Sequence, residues 1–173
     1  MQIESVVVGE LEENCYILTI NNTCLIVDPG DEIDKIINAI GEKKVLGILI
    51  THHHFDHVGA LKPLLEKYNV KVYDFNSLEE NNLKVGDFTF DVIFNPGHTI
   101  DSISFYFKKE KVMFVGDFVF KNTIGRCDLE GGNIKEMMSS ISKLKEIDDD
   151  ITLYPGHGSK TTLNYEKMYN PYF

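Results

Sequence analysis

All six histidines of this chain fall into three short clusters, at 52–57, at 98 and at 157. Each follows directly on a run that reads as a β-strand, and each is flanked by Gly, Pro or Asp. Scattered core histidines have no reason to gather at strand ends. Ligands on loops after buried strands can converge while the scaffold stays rigid. Imidazole and carboxylate are the usual ligands of zinc and similar divalent ions. The fold therefore has to bring three strand ends to one place.

The run 45–50, Val-Leu-Gly-Ile-Leu-Ile, is apolar throughout, which suits a strand buried on both faces. It delivers the chain into Thr51-His52-His53-His54-Phe55-Asp56-His57. Before it, 3–8, 15–20 and 23–27 read as strands. Ile33, Ile36, Ile37 and Ile40 recur at helical spacing up to Gly41, with Asp31 placed to cap them. After it come a helix over 60–68 with Pro63 in its first turn, a strand at 70–73 and a loop at 76–82. Strands follow at 88–94, 102–107 and 111–115, the first leading to His98 and the third to Gly116-Asp117. The Gly-rich stretch 118–133 reads as ordered but irregular. A helix over 134–147, a strand at 151–154 and a helix over 162–169 complete the chain. In the first of these helices the Met137-Met138 pair, with Ile134, Ile141 and Leu144 at helical spacing, reads as core packing. This mixture predicts one domain, 1–173, of two packed sheets with helices outside them.

Length and composition permit this without staples. A chain of 173 residues, 43% of them hydrophobic, can bury a core of its own. Cys15, Cys24 and Cys127 are odd in number and widely spaced, so no disulfide framework or redox pair is expected. With 17 basic and 27 acidic side chains the net charge is −10, which repels a phosphate backbone. No nucleic-acid partner is expected. Residues 1–4 show no signal-peptide pattern and no apolar run approaches spanning length, so no membrane partner is expected and the cytoplasm is the expected location.

His52, His54, Asp56 and His57 spell HxHxDH. A sharp turn can aim His52 and His54 one way and Asp56 and His57 at a second ion nearby. His98 and His157 add one imidazole each, and Asp117 can bridge. Seven ligands then serve a pair of ions roughly 3.5–4 Å apart, with room for water. Asp28 reads either as a turn residue or as a carboxylate supporting a metal-bound imidazole. His53 reads as a spare side chain, and Asn14 carries no assigned role.

The strings His52-His53-His54-Phe55-Asp56-His57, Pro96-Gly97-His98-Thr99, Gly116-Asp117 and Pro155-Gly156-His157-Gly158 resemble the successive motifs of the metallo-β-lactamase superfamily. Gly116 to Phe120, Gly125-Arg126-Cys127-Asp128 and the ending Thr161 to Glu166 are similar to short glyoxalase II-like hydrolases. The resemblance implies an α/β (α+β) fold, an αββα sandwich of two mixed sheets with helices on the outer faces. It implies a metal-dependent thioesterase acting on S-lactoylglutathione or a similar small-molecule acyl-thiol through a metal-bridging hydroxide. His52, His54 and His98 would hold the first of two divalent ions, and Asp56, His57 and His157 the second. Asp117 would bridge, and Asp56 would also handle the proton. Zinc is the first expectation for the metal, with iron or manganese accepted by the same ligand types. Arg126 stands where such enzymes place a basic residue near the thiol half.

Full-length glyoxalase II enzymes continue into a second, helical domain, so either recognition of glutathione here would rest on local residues such as Arg126 and Lys160 or the thiol half is a different low-molecular-weight thiol. The rival reading is a persulfide dioxygenase with one iron on two histidines and an aspartate. The third is a metal-binding scaffold without turnover. Flavodiiron oxygen reductases, which resemble this chain but carry Glu at the position of His54, fit less well. So do RNA-processing members with basic arms and secreted β-lactamases. The sequence leaves the oligomeric state open.

Overall fold

The computed structural model describes residues 1–77 and 83–173. The loop expected at 76–82 lies outside the described residues over 78–82. The first sheet has five strands in the order β1 (Gln2–Val8), β2 (Glu13–Ile20), β3 (Thr23–Val27), β4 (Lys44–Leu49) and β5 (Lys71–Tyr73). Strands β1 to β3 are antiparallel neighbours, while β3, β4 and β5 run parallel. The apolar run thus becomes an inner strand, with Ile48 and Leu49 fully buried.

The second sheet contains β6 (Leu83–Val85), β7 (Phe88–Phe94), β8 (Ile103–Phe107), β9 (Val112–Gly116), β12 (Thr152–Pro155) and β13 (Thr161–Thr162), in the order β13-β12-β9-β8-β7-β6. Two short strands, β10 (Val119–Phe120) and β11 (Thr123–Ile124), form a separate hairpin. Between the sheets lies an apolar layer in which Leu18 and Leu25 of one sheet meet Phe90, Phe105, Phe107 and Phe114 of the other. Burying each such side chain contributes about 1.5–3 kcal/mol. Helices α1 (Ile33–Ile40) and α3 (Leu61–Tyr68) cover the outer face of the first sheet through Ile36, Ile40 and Leu64. Helices α4 (Ile134–Lys145) and α5 (Leu163–Tyr169) cover the second through Met137, Ile141, Leu144 and Leu163, whereas Ile134 and Met138, expected in the core, are exposed because the helix buries the Met137-Ile141-Leu144 stripe. The expected αββα sandwich is what forms. No helix among the described residues is long and apolar enough to cross a membrane.

Strand direction explains where the polar residues go. In the second sheet β8 is antiparallel to both β7 and β9, and β12 is parallel to β9. So β7, β9 and β12 all end at one edge, and those ends lead to His98, Asp117 and His157. In the first sheet β3 and β4 end together, at Asp28 and His52, while antiparallel β2 begins there with Glu13 and Asn14.

Several local expectations shift. The α1 N-cap is Glu32, not Asp31: Glu32 takes a left-handed conformation, and its carboxylate accepts bonds from Gly9 N and Lys35 Nζ. Asp31 caps only the Glu32 amide, at 2.6 Å. A one-turn helix, α2 (Phe55–Val58), is too short to show periodicity. Strand β6 pairs with β7 around Gly86-Asp87, where Gly86 has the φ of +60° that a glycine-first hairpin turn requires. The last helix begins at Leu163, one residue late, because Thr162 pairs in β13 and its hydroxyl caps Tyr165 N.

Candidate metal centre

The loops that leave these strand ends gather every expected ligand. His52 Nε2 lies 3.1 Å from His54 Nδ1, which lies 2.9 Å from His98 Nε2. His157 Nε2 lies 3.2 Å from Asp56 Oδ2, and His57 Nε2 lies 3.9 Å from that oxygen. Asp117 sits between the two groups, Oδ1 3.4 Å from His57 Nε2 and Oδ2 3.5 Å from His98 Nε2. Gly156 makes the closeness possible, since a Cβ there would collide with Asp117 Oδ1 and the His57 ring.

Each of four rings is fixed by a bond on its far side. His98 Nδ1 donates to Arg126 O at 2.7 Å, and His157 Nδ1 donates to Leu11 O at 2.9 Å. His57 Nδ1 donates to Asp28 Oδ2 at 3.0 Å. His52 Nδ1 donates to the Thr51 hydroxyl at 3.1 Å, which donates in turn to Asp28 Oδ2 at 2.6 Å. These acceptors take the Nδ1 side of all four rings and turn Nε2 inward, where a metal can take the place of a proton. Asp28, 2% exposed and with φ of +48°, is the supporting carboxylate rather than merely a turn residue. Through its two oxygens it holds Thr51 N, Thr51 Oγ1 and His57.

A metal fits these residues on two observations. His57 Nε2 and Asp117 Oδ1 are buried, face each other and have no hydrogen-bond partner. Such orphaned groups are costly unless something satisfies them. The ring nitrogens of His52, His54 and His98 stand near the separation of roughly 3.3 Å that tetrahedral Zn–N bonds of about 2.0–2.1 Å impose. Two sets of three could each hold an ion: His52, His54 and His98, and Asp56, His57 and His157.

The electrostatics agree. Burial, reinforced by the neighbouring imidazoles, pushes His52 well below the usual histidine range, so its lone pair is free. Burial also disfavours charge on His57, but the facing carboxylate of Asp117 and the bond to Asp28 outweigh that and hold it well above the range. The bond to Asp56 raises His157. Burial raises Asp117 and Asp56, but the opposing histidines win and keep both below the usual carboxylate range. Positive charge is thus favoured at the centre, carried by protons on these imidazoles or by cations that displace them. Asp28→Asn, which removes the acceptor shared by His57 and Thr51, is expected to weaken metal binding about 10–100-fold against a competing chelator.

Other residues turn out differently. His53 points away from the cluster, but it is not spare: Nδ1 bonds Asp101 at 2.5 Å and Nε2 bonds Asp74 at 3.1 Å, tying the histidine loop to two neighbouring segments. Asn14 donates to Pro155 O and Gly158 O, so it holds the His157 loop. Glu13 is 1% exposed, 3.8 Å from His57 Nδ1, and both its oxygens lack partners. Burial pushes its carboxyl up to about 10. Arg126 lies at the surface with its guanidinium bonded twice to Asp128, at 2.7 and 2.8 Å. The cluster opens into a cleft of about 720 Å³, of which Arg126 forms part of the wall.

Comparison with known proteins accords with this geometry. The family description "Metallo-beta-lactamase superfamily" matches residues 8–78 and 74–157. The chain is 34% identical to the hydroxyacylglutathione hydrolase GloC of Haemophilus influenzae, over 99% of this chain and 98% of that one. Among solved structures it superposes on BLEG-1 B3 metallo-beta-lactamase with a TM-score of 0.94 and 29% identity, over 99% of each chain. It superposes on TTHA1623, solved in a di-iron-bound form, with a TM-score of 0.89 and 31% identity, over 98% of this chain and 100% of that one. Two sheets meeting at an edge of inward-facing histidines and aspartates, together with a family match running through all four ligand-bearing loops, place this chain in the metallo-beta-lactamase superfamily.

Proposed function

We propose that the chain is a metal-dependent hydrolase that cleaves an acyl-thiol ester, with S-lactoylglutathione as the reference substrate. The observation that carries the reading is the pairing of two ligand groups around Asp117 at the floor of an open cleft. Divalent ions bound there would supply a Lewis acid and lower the pKa of water from about 15.7 to about 7. His52, His54 and His98 would hold one ion, Asp56, His57 and His157 the other, and Asp117 both.

The protein's own part is orientation and proton handling. Water contributes its oxygen to the carbonyl carbon, the C–S bond breaks, and the electron pair leaves on sulfur, which takes one of the water's protons; the products are a carboxylate, a thiol and one proton released to solvent. Asp56 lines the cleft beside His157 and His57, so it is placed to accept a proton from the attacking water and pass it on. A thiolate leaves without the help of a strong acid. Arg126 would meet a carboxylate of the thiol half, exchanging Asp128 for it. Because that contact exists in both ground and transition states, Arg126→Ala is expected to raise KM more than it lowers kcat.

Protein purified without chelators should contain about two divalent ions per chain and hydrolyse S-lactoylglutathione. Elemental analysis and an assay on one sample test this. One iron per chain, no hydrolysis and persulfide-dependent oxygen uptake would replace the hydrolase with an oxygenase. Bound metal with no turnover of any thioester, ester or lactone would leave a scaffold.

A further inference from the structure

The walls of the cleft differ in character from its floor. Leu11, Phe55 and Leu129 line it while exposing 54%, 75% and 41% of their surface, and Phe120 and Ile124 of the β10–β11 hairpin complete the apolar rim. Large apolar side chains left in water around a concave polar centre mark a ligand surface. Among the described residues lining the cleft, Arg126 is the one lysine or arginine, and Asp128 already neutralises it. Beyond the metal-holding floor, a second anionic group on the substrate would find no further lysine or arginine in the cleft wall.

We propose, resting on the hydrolase reading above, that the acyl half of the substrate is an apolar hydrocarbon chain longer than the lactoyl group. A thioester presents two unlike halves to this cleft. Arg126 suits one charged terminus, which belongs to the thiol half. The remaining wall offers Leu11, Phe55, Phe120, Ile124 and Leu129 to the acyl half, with Thr123 as the one hydroxyl. Along that wall a hydroxyl would find only Thr123, whereas methylenes would leave water against these apolar side chains. The reaction is unchanged: one water is consumed, the C–S bond breaks, and a fatty carboxylate, a thiol and one proton leave.

The test keeps the thiol constant. The zinc-loaded protein is assayed on S-acetyl-, S-butanoyl-, S-hexanoyl- and S-octanoylglutathione beside S-lactoylglutathione. Each methylene fully withdrawn from water is worth roughly fourfold. With partial burial, kcat/KM should rise on the order of 30-fold or more from acetyl to octanoyl. Leu11→Ser and Leu129→Ser should each reduce that ratio severalfold, and calorimetry should show octanoate binding at least about tenfold more tightly than acetate. Turnover of all five esters with no gain along the series, or equal affinity for octanoate and acetate, overturns the apolar acyl site and leaves the hydrolase standing. Failure to hydrolyse any of the five overturns both.

Discussion

Asp117→Ala is expected to lower bound metal from about two ions per chain to less than one, and to cut kcat/KM by more than 100-fold. Loss of a residue that merely supports a ligand costs about 10–100-fold in affinity or activity. Asp117 stands closer, with one oxygen toward His57 Nε2 and the other toward His98 Nε2, so its removal opens both ligand groups. It also deprives the fully buried His57 of the carboxylate that its inward nitrogen faces. Asp56→Ala is the control: it touches only the group with His57 and His157 and should leave about one ion. Elemental analysis of both variants, with circular dichroism to verify folding, makes the comparison. Full retention of metal by Asp117→Ala would remove its bridging role.

Glu13→Gln is expected to change the stability of the metal-free protein more favourably at pH 7 than at pH 4, by about 3 kcal/mol. The Glu13 carboxyl is raised from 4.5 to about 10, first by burial, against which His57 gives partial relief. A group raised on folding favours the folded state fully below its unfolded pKa and loses that contribution as pH climbs toward the folded value. At pH 7 the unfolded chain ionises Glu13 and the folded chain does not, which costs about 3 kcal/mol. Glutamine carries no such cost. An amide left without partners in that pocket would cost about 1–3 kcal/mol, but equally at both pH values. The readout is therefore the difference in urea-unfolding free energy between variant and parent, compared at pH 4 and pH 7. If that difference is the same at both, Glu13 is not held protonated.

The candidate ligands were legible because two signals coincided: polar residues of metal-binding type and their position immediately after apolar runs. Asp117 alone would be an ordinary turn residue, and its order behind His52–His57 and His98 made it readable. Glu13 and Asn14 carried no such signal. They begin a strand, in a polar stretch that looks like any turn, and only the antiparallel pairing of β2 with β3 brings them to the edge where the ligand loops end. His53 was unreadable for a related reason, since its partners Asp74 and Asp101 lie 21 and 48 residues away. The irregular reading of 118–133 missed the β10–β11 hairpin because two-residue strands show no alternation. Strand β6 was a missed signal rather than a hidden one: Gly86-Asp87 between Val85 and Phe88 is a hairpin turn in plain letters.

The bonds from Asn14 to Pro155 and Gly158 span 141 and 144 residues. They set the order in which the molecule can be finished during synthesis. The strands of the first sheet are all contained in residues 2–73 and can begin to pair while the rest is still being made. The latch on the His157 loop cannot close until Gly158 has left the ribosome. At about 5–20 residues per second, this leaves the buried Glu13 edge open to water for several seconds after the first sheet is complete. A nascent chain released early would carry a nearly finished first layer and no metal centre.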